Sequence, residues 1–136
     1  MKGTPLKTAH WWVGFATVVV FLLTGLYLRW QFPEAYEANE VIRYQFRANH
    51  LYLLLAGLLH GVLGTYLSLH PQGWRRRLQI LGSSLLLLAV PLLLWAFFTE
   101  PPQALPDRPR TTIALFLTLV GSLAHFLGRP RQQMKK

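Results

Sequence analysis

Four apolar runs dominate this 136-residue chain: Ala9 to Leu28, Leu51 to Leu69, Leu78 to Phe98 and Thr112 to Leu127. A helix needs about 20 largely apolar residues to cross the ~30 Å hydrocarbon layer of a bilayer. The first three runs meet that length, and the fourth meets it if its Thr111/Thr112 start lies in the interface. Composition points the same way. The chain is 52% hydrophobic and 14% charged, with a mean hydropathy of +0.29, whereas a soluble domain is about a quarter charged. Between the runs stand Pro33, His70-Pro71-Gln72-Gly73, Pro101-Pro102, Pro106 and Pro109, all turn or breaker signals. Pro91 lies inside the third run, where a membrane helix tolerates it as a kink. The expected fold is an all-α integral membrane protein, a single four-transmembrane-helix bundle over residues 1–136.

Charge fixes the expected direction of these spans. Lys2, Lys7, Arg75, Arg76, Arg77, Arg129, Arg131, Lys135 and Lys136 fall in the N-terminus, the second loop and the C-terminus. All five acids (Glu34, Glu37, Glu40, Glu100 and Asp107) fall in the first and third loops, offset there by Arg29, Arg43, Arg47, Arg108 and Arg110. One side therefore carries the whole net charge of +9 and the other is neutral. Positive loops stay in the cytoplasm, so both termini are expected inside a bacterial cytoplasmic membrane. The same placement removes nucleic acid as a partner, because the basic residues hug the ends of spans. The first run is too long for a cleaved signal peptide, and no small-x-small site follows it before Arg29-Trp30. Trp11, Trp12, Trp30 and Trp74 fall at interfaces, as belt anchors do. The stretch Glu34 to Asn49 is long enough for a short interfacial helix leading into the second span.

Ionisable side chains within spans are costly and mark function by default. Here they are histidines: His10, His50, His60, His70 and His125. His50 and His70 are at the ends of the second run, where an interfacial imidazole needs no special role. His60 lies mid-run, where it could simply hydrogen-bond another helix for ~1 kcal/mol. His10 and His125 are both within ~5 Å of the inner boundary, at 1.5 Å rise per residue. Two neutral imidazoles at one depth on facing helices can clamp a haem iron from both sides. Gly14, Gly121 and Gly128 share the faces of these two histidines, giving room either for a porphyrin or for close helix packing. Gly57, Gly61 and Gly64 surround His60, whose depth puts it ~10 Å from the His10/His125 level. His50 and His60, ten residues apart, point ~80° apart around their helix and make poor partners. Arg47 and Arg43, beside His50, are candidates to hold propionates or a quinone headgroup.

His10-Trp11 followed by an apolar run ending Leu22-Leu23-Thr24-Gly25-Leu26 resembles the first helix of quinone-linked bacterial b-type cytochromes. These are the membrane subunits of nickel–iron hydrogenases and formate dehydrogenases and their relatives. The resemblance covers about the first 65 residues plus His125. It implies a cytoplasmic N-terminus, haem b between helices, an inner haem on His10 and His125, and His50 as a ligand of an outer haem. The family's second outer ligand would fall near Thr111, where there is no histidine. Either one haem remains, or His50 and His60 form a rearranged second site.

Other chemistry is excluded quickly. No cysteine is present, which removes disulfides, thiolate metal sites, thiol catalysis and covalently attached c-type haem. There is no Gly-rich phosphate loop, no H-E-x-x-H and no nucleophile elbow. The acids all fall in outer loops, against a relay of buried carboxylates. The expected function is electron transfer between a quinone and a redox partner through haem b. The rival is a cofactor-free scaffold or accessory subunit of a larger membrane complex, using its glycine faces for helix contacts; these faces are also compatible with a homodimer. A small transporter is disfavoured by the lack of buried charge.

Overall fold

The computed structural model describes residues 4–104 and 106–129, without the side chains of 31–35. Lys2, Arg131, Lys135, Lys136 and the Glu34 side chain lie outside them. Among the described residues the chain is helical, without strands: α1 (Pro5–Ala35), α2 (Glu40–Tyr66), α3 (Trp74–Thr99) and α4 (Pro109–Gly128), with a 3-10 turn at Pro101–Gln103. Consecutive helices pack antiparallel in two tight pairs, α1 with α2 and α3 with α4; the pairs meet mainly along α2 and α3.

Glycine makes each pair tight. A methyl group on Gly14 would lie 2.6 Å from the Gly61 nitrogen, and one on Gly64 would lie 2.5 Å from the Cα of Trp11. In the second pair, a methyl on Gly82 would lie 2.7 Å from the Gly121 carbonyl, and one on Gly128 would lie 2.9 Å from the Arg75 carbonyl. Small residues let membrane helices approach in this way, where lipid supplies no hydrophobic drive. Gly61 differs from the expected glycine face, because a methyl there would meet nothing within 4 Å.

Three helices, α1, α3 and α4, are long and apolar enough to cross a membrane. The 20 residues of α4 reach ~30 Å, because the helix starts at Pro109 and uses that residue's preset φ at its first turn. α2 has the length, at 27 residues, but its first ten residues include Glu40, Arg43, Arg47 and Asn49. Two sequence expectations change here. α1 runs on past Pro33 to Ala35, since a proline in the last turn sacrifices only one backbone hydrogen bond. The helix expected over Glu34 to Asn49 starts only at Glu40 and is continuous with the second span: α2 begins there, capped by Asn39, whose Oδ1 accepts the Ile42 N–H at 3.1 Å. α3 is one unbroken helix through Pro91.

The surface is lipid-like. Leu22, Leu23, Trp30, Leu88, Phe116, Leu119 and Phe126 are each at least half exposed, a continuous apolar exterior that a soluble monomer does not present. Inside, Phe46, Leu53, Ala56, Leu93, Phe97 and Ala114 form the apolar centre of the bundle. Polar side chains are concentrated on either side of it.

Candidate functional site: a buried histidine cluster

Four helices each send one polar side chain to a common level near the α1 N-terminus. These are His10 from α1, His60 from α2, Ser83 from α3 and His125 from α4. His10, His60 and Ser83 are at most 1% exposed. His10 Nδ1 lies 2.7 Å from His60 Nδ1, and His10 Nε2 lies 2.9 Å from Ser83 Oγ. His125 Nε2 approaches the same Ser83 oxygen at 2.9 Å. His60 Nε2 lies 3.2 Å from the Leu86 carbonyl.

The protons of this network follow by elimination when each ring is neutral. A carbonyl only accepts, so His60 Nε2 carries the hydrogen and His60 Nδ1 is an acceptor. His10 Nδ1–H must then donate to it, which leaves the lone pair on His10 Nε2. That nitrogen accepts the Ser83 O–H, and Ser83 Oγ in turn accepts from His125 Nε2–H. Every imidazole nitrogen of His10 and His60 is thereby satisfied, as a buried polar group requires. Several other hydroxyls of the spans are used locally. Thr17, Ser84, Thr118 and Ser122 each donate to the carbonyl one turn back. Ser83 alone among these serines and threonines reaches across helices.

The structure brings His10 and His125 near one another: their rings are 6.2 Å apart between centroids, inclined at 75°. The depth expected for His60 is corrected. It hydrogen-bonds His10 where a ~10 Å separation was anticipated, because α2 starts eleven residues before the apolar run and ends at Tyr66. His60 is therefore near the helix C-terminus and level with the start of α1. His50 and His60 do not come together. His50 Nδ1 lies 3.0 Å from Thr24 Oγ1, and its ring stacks on Phe21 at 4.1 Å. Thr24 gives its own proton to the Phe21 carbonyl, so His50 donates to Thr24. Arg47 is exposed on α2. His70 is in the α2–α3 loop, donating Nδ1–H to the Gln72 carbonyl at 2.8 Å. Gln79 ties that loop down by donating to the Ser68 carbonyl and accepting the His70 N–H. Gly14 and Gly121, expected beside a porphyrin, are filled by the partner helix of their own pair. Among the described residues no group of three or more histidine or acidic side chains is arranged to hold a bare metal ion.

A second buried polar cluster lies ~21 Å away along α4, at Thr111. Glu100 is 4% exposed. Its carboxylate accepts the Arg110 N–H at 2.6 Å, the Thr111 N–H at 3.2 Å and the Thr111 hydroxyl at 2.5 Å, capping the positive end of α4. Asn49 Oδ1 accepts from Arg108 and faces Thr111 Oγ1 at 3.1 Å. Sequence reasoning assigned Glu100 to an outer loop and missed this cluster. Its position immediately before Pro101-Pro102, one connection ahead of a helix that supplies no acid to its own first turn, was the available signal. The Thr111 position, where the resembling family has an outer ligand, is thus given to a helix cap.

Comparison with protein-family models, with curated proteins and with solved structures finds no match. The chemistry of the cluster must be read from its own geometry. Two imidazoles gripping one metal place their nitrogens ~4 Å apart, at ~2 Å from the metal. His10 Nε2 and His125 Nε2, each 2.9 Å from one oxygen, are at most 5.8 Å apart. Both nitrogens thus face one point from two different helices. The Ser83 hydroxyl occupies the point between them. A groove of about 420 Å³ opens beside His125, lined by Leu63, Tyr66, Gln79 and Arg129 among others.

Proposed function

We propose that this chain is a four-span protein of a bacterial cytoplasmic membrane, with both termini inside, that carries electrons through one haem b held by His10 and His125. The observation that carries the proposal is the convergence of two Nε2 atoms, from residues 115 positions apart in sequence, on a single buried atom. Reading α2 as the fourth span is supported by Leu51, Leu55, Leu58 and Val62, all more than half exposed and spaced along one stripe. When bound, haem supplies one-electron chemistry; the protein supplies ligands, orientation and a low dielectric. The groove beside His125 gives the cluster an edge toward the inner surface, where a quinone or a protein redox partner would exchange electrons. One haem is proposed, because His50 bonds Thr24 and the Thr111 position is committed to Glu100.

A transporter reading has less support. Between the two polar clusters the interior is closed by Leu53, Leu93, Ala96, Phe97 and Ala114, all at most 1% exposed. The rival with a specific observation behind it is a cofactor-free bundle, in which Ser83 permanently links His10 and His125. Spectroscopy separates the two readings. Protein purified in detergent should give a reduced-minus-oxidised b-type spectrum, lost in both His10→Ala and His125→Ala and kept in His50→Ala. A folded, colourless protein that stays colourless on adding hemin would leave the cofactor-free bundle.

A further inference from the structure

We infer that His60 is the positioning residue for His10: it fixes which nitrogen of the His10 ring carries the proton and so aims a lone pair at the His125 side of the cluster. The inference builds on the haem reading for its consequence, but its geometry is independent of it.

The Leu86 carbonyl anchors the sequence of donors and acceptors. It can accept only, so it holds the hydrogen on His60 Nε2 at 3.2 Å and turns His60 Nδ1 into an acceptor. His10 then has one option for its Nδ1, which is to donate across 2.7 Å. The Ser83 hydroxyl, with one proton to give and two imidazoles at 2.9 Å, cannot decide by itself which ring receives it. His60 decides it in favour of His10. Steric support comes from the same place: Gly14 presses on the backbone at Gly57, His60 and Gly61, so α1 and α2 cannot slide without breaking the contact between the rings. The rings of His10 and His60 are 4.8 Å apart between centroids, buried where water does not compete.

A histidine that ligates a metal needs its other nitrogen hydrogen-bonded to a fixed acceptor, which sets the tautomer and raises ligand basicity. Carboxylates and carbonyls usually fill that role, and here a second histidine fills it. Removing such a partner costs about 10- to 100-fold in metal affinity. Loss of the acceptor should also raise the midpoint potential, because a less basic ligand stabilises ferric iron less.

The test uses the full chain with ¹⁵N-labelled histidine. In the wild-type protein without haem, His10 should give the Nδ1–H tautomer and His60 the Nε2–H tautomer. His60→Ala should lose the fixed His10 tautomer and bind hemin about 10- to 100-fold more weakly, with a raised potential. His60→Gln keeps an acceptor for His10 and a donor for Leu86, and should recover most of the affinity. A wild-type His10 protonated on Nε2 would overturn the inference without any variant needing to fold. So would wild-type hemin affinity and potential in His60→Ala. Failure of the wild type to bind hemin would instead remove the proposed function, leaving the tautomer assignment to be judged on its own spectrum.

Discussion

Alanine at Gly14 and alanine at Gly61 form a matched pair of perturbations, because both residues lie in helices at the same α1–α2 contact and differ only in what the new methyl meets. At Gly14 it would lie 2.6 Å from the Gly61 nitrogen and 3.0 Å from both the Gly57 oxygen and the His60 carbonyl carbon. These are backbone atoms and cannot rotate away. Ordinary contact begins at 3.4 Å, so the helices must part locally by about 0.8 Å. A separation of that size would stretch the His10–His60 bond from 2.7 Å to about 3.5 Å, the edge of hydrogen-bonding range. Overpacking of this kind costs about 1–3 kcal/mol. At Gly61 the methyl meets nothing within 4 Å. Both variants share the same gain in helix propensity, up to about 1 kcal/mol, so it cancels in the difference. Equilibrium unfolding in mixed micelles should therefore find Gly14→Ala less stable than Gly61→Ala by about 1–3 kcal/mol. Equal stabilities, within about 0.5 kcal/mol, would refute the view that glycine sets the helix separation and, through it, the histidine contact.

The Glu100 cluster and the topology give two more expectations. Glu100→Ala leaves the Arg110 and Thr111 N–H groups without their acceptor and should cost about 2–4 kcal/mol. Glu100→Gln, which keeps one acceptor oxygen, should cost clearly less in the same unfolding assay. Because the chain has no cysteine, single cysteines report sidedness without background. Ala38→Cys and Gln103→Cys should react with an impermeant thiol reagent applied from the periplasmic side, and Gln72→Cys should not. Equal labelling of Ala38→Cys and Gln72→Cys would mean that α2 does not span.

Helix number and the approximate place of each helix were legible in the sequence, since a long apolar run bounded by proline and glycine admits little else. The boundaries were not. Pro33 reads as a stop but falls in a last turn, where its missing N–H costs little; the helix leading into the second span reads as starting near Glu34 but starts at Glu40, where Asn39 caps it. His10 and His125 could be matched because one lies at the start of the first run and the other near the end of the fourth, which puts both on one side of the bundle. His60 could not be matched to them, as its level depends on where α2 begins and ends.

What the amino-acid order determined alone was a set of apolar helices, a charge asymmetry across them, and a pair of imidazoles near one face. Which nitrogen meets which oxygen was decided only by packing. Glycines with no room for a side chain fix the distance within each helix pair, and that distance brings His60 to His10 and lets Ser83 reach both His10 and His125. The same holds for Glu100: an acid in a connecting segment becomes a buried cap only when the end of α3 is folded against the start of α4. Periodicity along a chain specifies faces and depths. Hydrogen bonds between faces demand sub-ångström placement, and in a bilayer that placement comes from how closely the helices can touch.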